Sequence, residues 1–173
     1  MAAQNQDQRM MHLNLFLFGC GHHRAAWRHP DSAVEQMGDI RYYERLAQTA
    51  ERGKLDAVFF ADGQSTGNVA DGSYWFLEPL TAMAAMSRAT DRIGFISTVS
   101  STFFTPFHAA RMMASLDHIS NGRMGWNVVT SMFDVEARIH KLLGPAITFG
   151  VGLRMKITAP SIWRIRSPLL MEL

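Results

Sequence analysis

The chain has 173 residues, with 17 Lys+Arg, 15 Asp+Glu, one Cys, 13 Gly and 12 Met, which at about 100–200 residues per domain predicts a single domain. A hydrophobic fraction of 47% against 18% charged residues excludes intrinsic disorder as the main state, and a lone cysteine excludes a disulfide scaffold or an all-cysteine zinc site within the chain. No apolar run is long enough to span a membrane, and the polar stretch Met1–Met10 lacks the apolar core of a signal peptide, so a cytoplasmic protein with a disordered N-terminus over residues 1–10 is expected. The net charge of +2 hides an asymmetry: residues 1–136 carry 11 basic and 14 acidic side chains, whereas 137–173 carry 6 basic and 1 acidic. The body is mildly acidic, so the overall basicity is no nucleic-acid footprint.

In chain order, the apolar run 12–18 ends at Gly19-Cys20-Gly21 and reads as a buried strand. A polar stretch with His22, His23, Trp27, Arg28, His29 and Pro30 follows. Residues 39–53 have helical spacing of Tyr42, Tyr43, Leu46, Ala47 and Ala50, with Gly53 as the stop. Residues 55–61 are a second strand, closed by Asp62-Gly63 and a Gly/Ser/Asn-rich loop to about residue 72. An Ala/Met-rich helix over 78–90 opens at Pro79, a residue suited to a first helical turn. A third strand over 93–99, a Ser/Thr-rich loop, a third helix over 106–118, an Asn121-Gly122 turn and a fourth strand over 124–129 complete the pattern.

Alternating strands and helices predict a parallel α/β sheet with crossover helices. Helix-to-strand links are short. Strand-to-helix links are long and polar, which marks the strand C-termini as the working face. Units of roughly 35–40 residues fit a partial (β/α)8 TIM barrel, its first four strands, over residues 11–138. From residue 139 to 173 the scattered Gly, Pro and Arg predict an irregular C-terminal tail.

Asp62 follows a buried strand directly. It reads either as a ligand-bonding group at the sheet's C-terminal edge or as a turn-forming Asp-Gly pair. Gly19-Cys20-Gly21 lets backbone approach a ligand but lacks the third glycine of a dinucleotide fingerprint. His22 and His23 are candidates for proton transfer or simply part of a polar loop, and Cys20 is ordinarily a small buried hydrophobe. The hydroxyls of Ser97, Thr98, Ser100, Ser101 and Thr102 cluster at the third strand's end, without the lysine-bearing glycine loop of a nucleotide site. Asn127, Thr130 and Ser131 close the fourth strand, and an amide within an apolar strand calls for a buried partner. Met83, Met86, Met112 and Met113 are expected in the core, and Arg123 on the surface.

Trp27-Arg-His-Pro30, Phe59-Phe-Ala-Asp62, Ser97-Thr-Val-Ser-Ser-Thr102, Pro106-Phe-His-Ala-Ala-Arg111 and above all 114–131 resemble the FMN-dependent monooxygenases related to bacterial luciferase. The similar branch is that of nitrilotriacetate, dibenzothiophene-sulfone and long-chain alkane monooxygenases. The resemblance implies a (β/α)8 barrel that uses reduced FMN, supplied by a separate flavin reductase, and O2 to insert one oxygen atom into a small organic substrate. It implies flavin contacts at Asp62 and Thr98, with Asn127, Thr130 and Ser131 at the barrel mouth. It further implies that the Cys20–His23 loop borders the substrate cavity, with His22 or His23 as acid/base. Relatives are more than twice as long, so the tail is expected to be a frame-shifted or truncated end and FMN to bind weakly. The rival expectation is a non-catalytic half-barrel that associates, as a homo-oligomer or with a partner chain, through open sheet edges. A different ligand on the same barrel, such as a deazaflavin, stays open.

Overall fold

The computed structural model describes residues 10–23, 25–65 and 77–140, together with the backbone of 163–164. The expectations for residues 1–9, for most of the Gly-rich loop after Gln64 and for nearly all of the tail therefore lie outside the described residues.

The four apolar runs are strands: β1 Asn14–Leu17, β2 Ala57–Phe60, β3 Gly94–Ser100 and β4 Met124–Val129. They pair in parallel in the order β1-β2-β3-β4, in a register that aligns Leu17 with Phe60, Phe60 with Ser97, and Thr98 with Asn127. Helices α1 Ile40–Arg52, α2 Pro79–Arg88 and α3 Pro106–Ile119 make the crossovers, and α4 Asp134–Ile139 follows β4. The sequence bounds hold to within two residues. A two-residue strand, β5 Trp163–Arg164, pairs antiparallel with β4 at Gly125 and Trp126. It is a departure from the tail without strands that the sequence predicts: the unpaired edge groups of β4 take a main-chain partner. Among the described residues no helix is long and apolar enough to cross a membrane.

Side chains alternate across the sheet. Leu17, Val58, Phe60, Phe95, Val99 and Met124 point at the helices and form the core with Tyr43, Ala47, Met83, Met86 and Met113. Each large side chain buried there contributes about 1.5–3 kcal/mol. Met83, Met86 and Met113 are fully buried, as the sequence predicts, and Met112 packs against the core from its margin. The alternate positions Phe16, Phe59, Ile96, Thr98 and Asn127 share the other face of the sheet.

Local signals explain the ends. The Asp39 carboxylate caps α1 by accepting the Arg41 N–H at 3.0 Å, and Glu78 caps α2 by accepting from Leu80 and Thr81 at 2.9 and 2.8 Å. After α1 the left-handed residue is Lys54, at φ 63°, while Gly53 stays right-handed. Asn121 and Gly122, at φ 57° and 76°, make the predicted tight turn after α3.

One expectation is overturned. Arg123 is not a surface residue but a half-buried staple. Its guanidinium donates to Ser120 O, Ile93 O, Ser87 O and Thr90 O at 2.6, 2.8, 2.5 and 3.1 Å, and to Thr90 Oγ1 at 3.0 Å. A rigid fork of donors satisfies carbonyls at and beyond the end of α2 that the helix itself leaves open, and the cation suits that negative end of the helix. Glu51 does the reverse at the same sheet edge, accepting the N–H groups of Asp91, Arg92 and Ile93 at 3.0, 2.5 and 3.0 Å. Arg123→Ala is expected to lower unfolding stability by about 2–4 kcal/mol, because several carbonyls lose their donor at once. Arg123→Lys recovers less than half of it, and urea unfolding of the two variants measures both; a loss within 0.5 kcal/mol, roughly that of an ordinary surface change, refutes the staple.

Candidate functional site at the strand C-termini

Parallel pairing places the C-terminal ends of β1–β4 along one edge, and the sequence-predicted residues lie there. Thr98 is buried and donates its hydroxyl to the Phe60 carbonyl at 2.9 Å. The Asn127 amide Nδ2 donates in turn to Thr98 Oγ1 at 2.9 Å. The hydroxyl proton is committed to the carbonyl, so Thr98 accepts from the amide, and the polarity of the chain is fixed across three strands. This is the buried partner that an amide in an apolar strand requires.

The remaining hydroxyls mostly bind the β3 and β4 loops to each other. Ser131, in the left-handed region at φ 55°, donates to Ser100 Oγ at 2.9 Å. Thr102 donates its hydroxyl to the Thr130 carbonyl, and Ser101 donates to the Val129 carbonyl at 3.1 Å. Thr130 thus takes part through its backbone, with its own side chain exposed. Ser97 does not join the rim. Strand alternation turns it to the helix side, where its buried hydroxyl has no hydrogen-bond partner among the described residues.

Asp62 lies two residues beyond β2. Its Oδ1 accepts the adjacent Gly63 N–H at 2.9 Å. Burial, with the charges of Glu78 and Glu136 nearby, pushes its carboxyl up to about 6 against the lowering effect of that N–H. Glu136 was missed by sequence reasoning. It is buried, and its Oε1 accepts the Gln64 N–H at 2.7 Å, tying α4 to the loop after β2. A Cβ on Gly63 would come within 3.2 Å of that same oxygen. Its position three residues after Phe133, at the start of α4, is the signal that could have singled it out, since the second oxygen accepts the Phe133 N–H at 3.4 Å.

The loop after β1 separates its two histidines by role. His22 Nε2 lies 3.2 Å from the Phe16 carbonyl, and its ring packs 4.5 and 5.2 Å from the rings of Phe16 and Phe18. A carbonyl only accepts, so Nε2 carries the proton and Nδ1 is left as acceptor. His23 is the opposite. Its Nδ1 accepts the Ala25 N–H at 3.1 Å, which leaves Nε2–H as donor. Cys20 and His23 also line an open groove of about 600 Å³ that continues along Arg28 and His29. The loop is held at its base by the Tyr42 hydroxyl, which donates to the Gly19 carbonyl at 3.3 Å.

The raised Asp62 carboxyl fixes a sign. The folded state holds a proton that the unfolded state releases between about pH 4 and pH 6, so this group's contribution is full below that window and is lost as pH rises through it. The partly exposed site limits the cost above it to on the order of 1–2 kcal/mol. Asp62→Asn is therefore expected to raise the melting temperature at pH 7.5 and to leave it nearly unchanged at pH 4; an equal shift at both values refutes the assignment.

Comparison with known proteins agrees with this geometry. The family model described as luciferase-like monooxygenase matches residues 16–146. The N-acetyl-S-(2-succino)cysteine monooxygenase of Bacillus subtilis (strain 168) is 46% identical over 131 residues, which are 75% of this chain and 30% of that protein. Nitrilotriacetate monooxygenase component A of Aminobacter aminovorans is 39% identical over 142 residues, 75% of this chain and 31% of the relative. EDTA monooxygenase from Chelativorans sp. BNC1 superposes with a TM-score of 0.72 at 30% identity, covering 77% of this chain and 33% of that one. A riboflavin lyase, solved with modified FMN and its substrate riboflavin, gives 0.67 at 30% identity, with coverages of 77% and 33%. The chain spans about a third of the length of each of these proteins. The family match runs from within β1 to beyond α4, and the chain belongs to the luciferase-like monooxygenase family.

Proposed function

We propose that this chain forms the ring-binding part of a flavin-dependent monooxygenase that uses reduced FMN and O2. The observation that carries the reading is the directed chain Asn127–Thr98–Phe60 O, which sits beside Phe59 and Ile96 on the sheet face opposite the core. A planar heteroaromatic ring with amide edges needs this combination: an apolar surface for its face, and amide and hydroxyl groups of fixed orientation for its edge. The residues present fit the isoalloxazine of FMN. Bound there in reduced form, the flavin supplies the activation of O2.

The protein's own part is binding, orientation and proton handling. Asn127 and Thr98 hold the ring edge, and Asp62 stands at the same rim as a carboxyl that changes charge near pH 6. Ser131 and Thr130 fix the β3–β4 side of the mouth. His22, with Nδ1 open, is suited to accept a substrate proton, and His23 offers Nε2–H from the same loop as a hydrogen-bond donor. Cys20 borders the substrate side of the same loop. A flavin reductase delivers the reduced cofactor, and the chain associates with itself through the β1 end of the sheet, whose outer edge has no strand among the described residues.

In (β/α)8 barrels the phosphate of such ligands is held by loops after strands 7 and 8, and the described residues supply the first four. FMN binding by the chain alone is therefore expected to be weaker than micromolar. Titration of FMN into isotope-labelled protein should shift the resonances of Asp62, Thr98 and Asn127, and Thr98→Val should weaken binding about tenfold while Thr98→Ser restores it. An FMN fluorescence titration that saturates at micromolar concentration would falsify the weak-binding expectation, and the absence of shifts at all three residues overturns the flavin reading.

A further inference from the structure

The groove beside the β1 loop has a lining that neither the flavin nor the core explains. Its two histidines are locked in the same tautomer by separate backbone donors. His23 Nδ1 accepts the Ala25 N–H at 3.1 Å, and His29 Nδ1 accepts the Asp31 N–H at 3.2 Å. With Nδ1 of each ring accepting a backbone N–H, Nε2–H is left as the donor of each imidazole. The third polar group is the Arg28 guanidinium, which lies 4.7 Å from the centre of the Trp27 ring and is oriented by that contact. All three residues line the groove of about 600 Å³. Among the described residues lining the groove only Asp31 opposes Arg28 in charge, and its carboxylate lies 3.8 Å from His29 Nδ1.

From this geometry we infer that the groove is an oxyanion subsite that takes a carboxylate of the substrate, with Arg28 as the charge partner and His23 and His29 as Nε2–H donors. Two imidazole donors and one planar cation suit a carboxylate: the guanidinium binds it in bidentate fashion, and the imidazoles satisfy its remaining lone pairs. The groove also follows from β1 at the same sheet edge as Asp62, Thr98 and Asn127, so a carboxylate held there anchors the substrate at one end and leaves the other toward the proposed ring site. Calling the anion the substrate's rests on the flavin reading; the binding itself does not.

Succinate titrated into the full chain, followed through the imidazole nitrogens of His23 and His29, tests the assignment. Saturable shifts at both Nε2 atoms are expected, with dimethyl succinate, the neutral ester, producing none. Arg28→Gln should weaken succinate about tenfold, and His23→Gln, which keeps a donor, should bind better than His23→Phe. Inorganic phosphate separates the two sources of an oxyanion: if phosphate saturates the shifts at lower concentration than succinate, the subsite belongs to a phosphate and the carboxylate assignment fails. Equal response to succinate and its ester, or no response at either histidine, also overturns it. FMN titrated into the same sample keeps the two readings apart. Shifts at Thr98 and Asn127 without any at His23 and His29 refute the groove alone, and the reverse pattern refutes the flavin site alone.

Discussion

The site depends on parallel, in-register pairing of four short strands. Parallel neighbours run the same way, so every C-terminus falls on one edge and every loop that follows a strand opens there. Residues as far apart in sequence as Phe60, Thr98 and Asn127 then come within hydrogen-bond reach. The side-chain bonds from Asn127 to Thr98 and on to the Phe60 carbonyl extend the ladder sideways, perpendicular to the strands. A slip of one residue between β3 and β4 would turn Asn127 toward the helices and break this chain.

The two edges of the sheet are built differently. At the N-terminal edge, long charged side chains are used up on backbone groups: Arg123 on carbonyls at and beyond the end of α2, Glu51 on the amides before β3. These charged groups serve cohesion. At the C-terminal edge the polar groups are short hydroxyls, amides, imidazoles and the Asp62 carboxyl, several of them bonded to a neighbouring strand or loop. Asp62 is the least comfortable of them, since burial and two neighbouring acids oppose its ionisation. A carboxyl held that way is unfavourable for stability near neutral pH.

The buried Glu136 links these themes. Its carboxylate reaches from α4 to the amide of Gln64 and sits against Gly63, so the end of the β4 segment holds the loop that carries Asp62. The position of Asp62 is therefore a property of two chain segments separated by more than 70 residues.

Much of this was legible in the sequence. Short β-rich apolar runs, prolines at helix starts and an Asn-Gly turn gave the strands, helices and order to within two residues, because these signals are local. The resemblance of 114–131 and the shorter stretches gave the family. Sequence alone did not decide the role of Arg123, because a guanidinium beside a tight turn reads as solvated until the end of another helix is folded over it. Nor did it separate Ser97 from Thr98, since neighbours of like chemistry part only when alternation in a strand sends one to the core and the other to the rim. The adjacent histidines were equivalent as letters and became an acceptor and a donor once a carbonyl and an amide had taken opposite nitrogens. Local propensity sets the elements; which groups face one another, and with which atoms, is set by the register and packing of segments far apart in the chain.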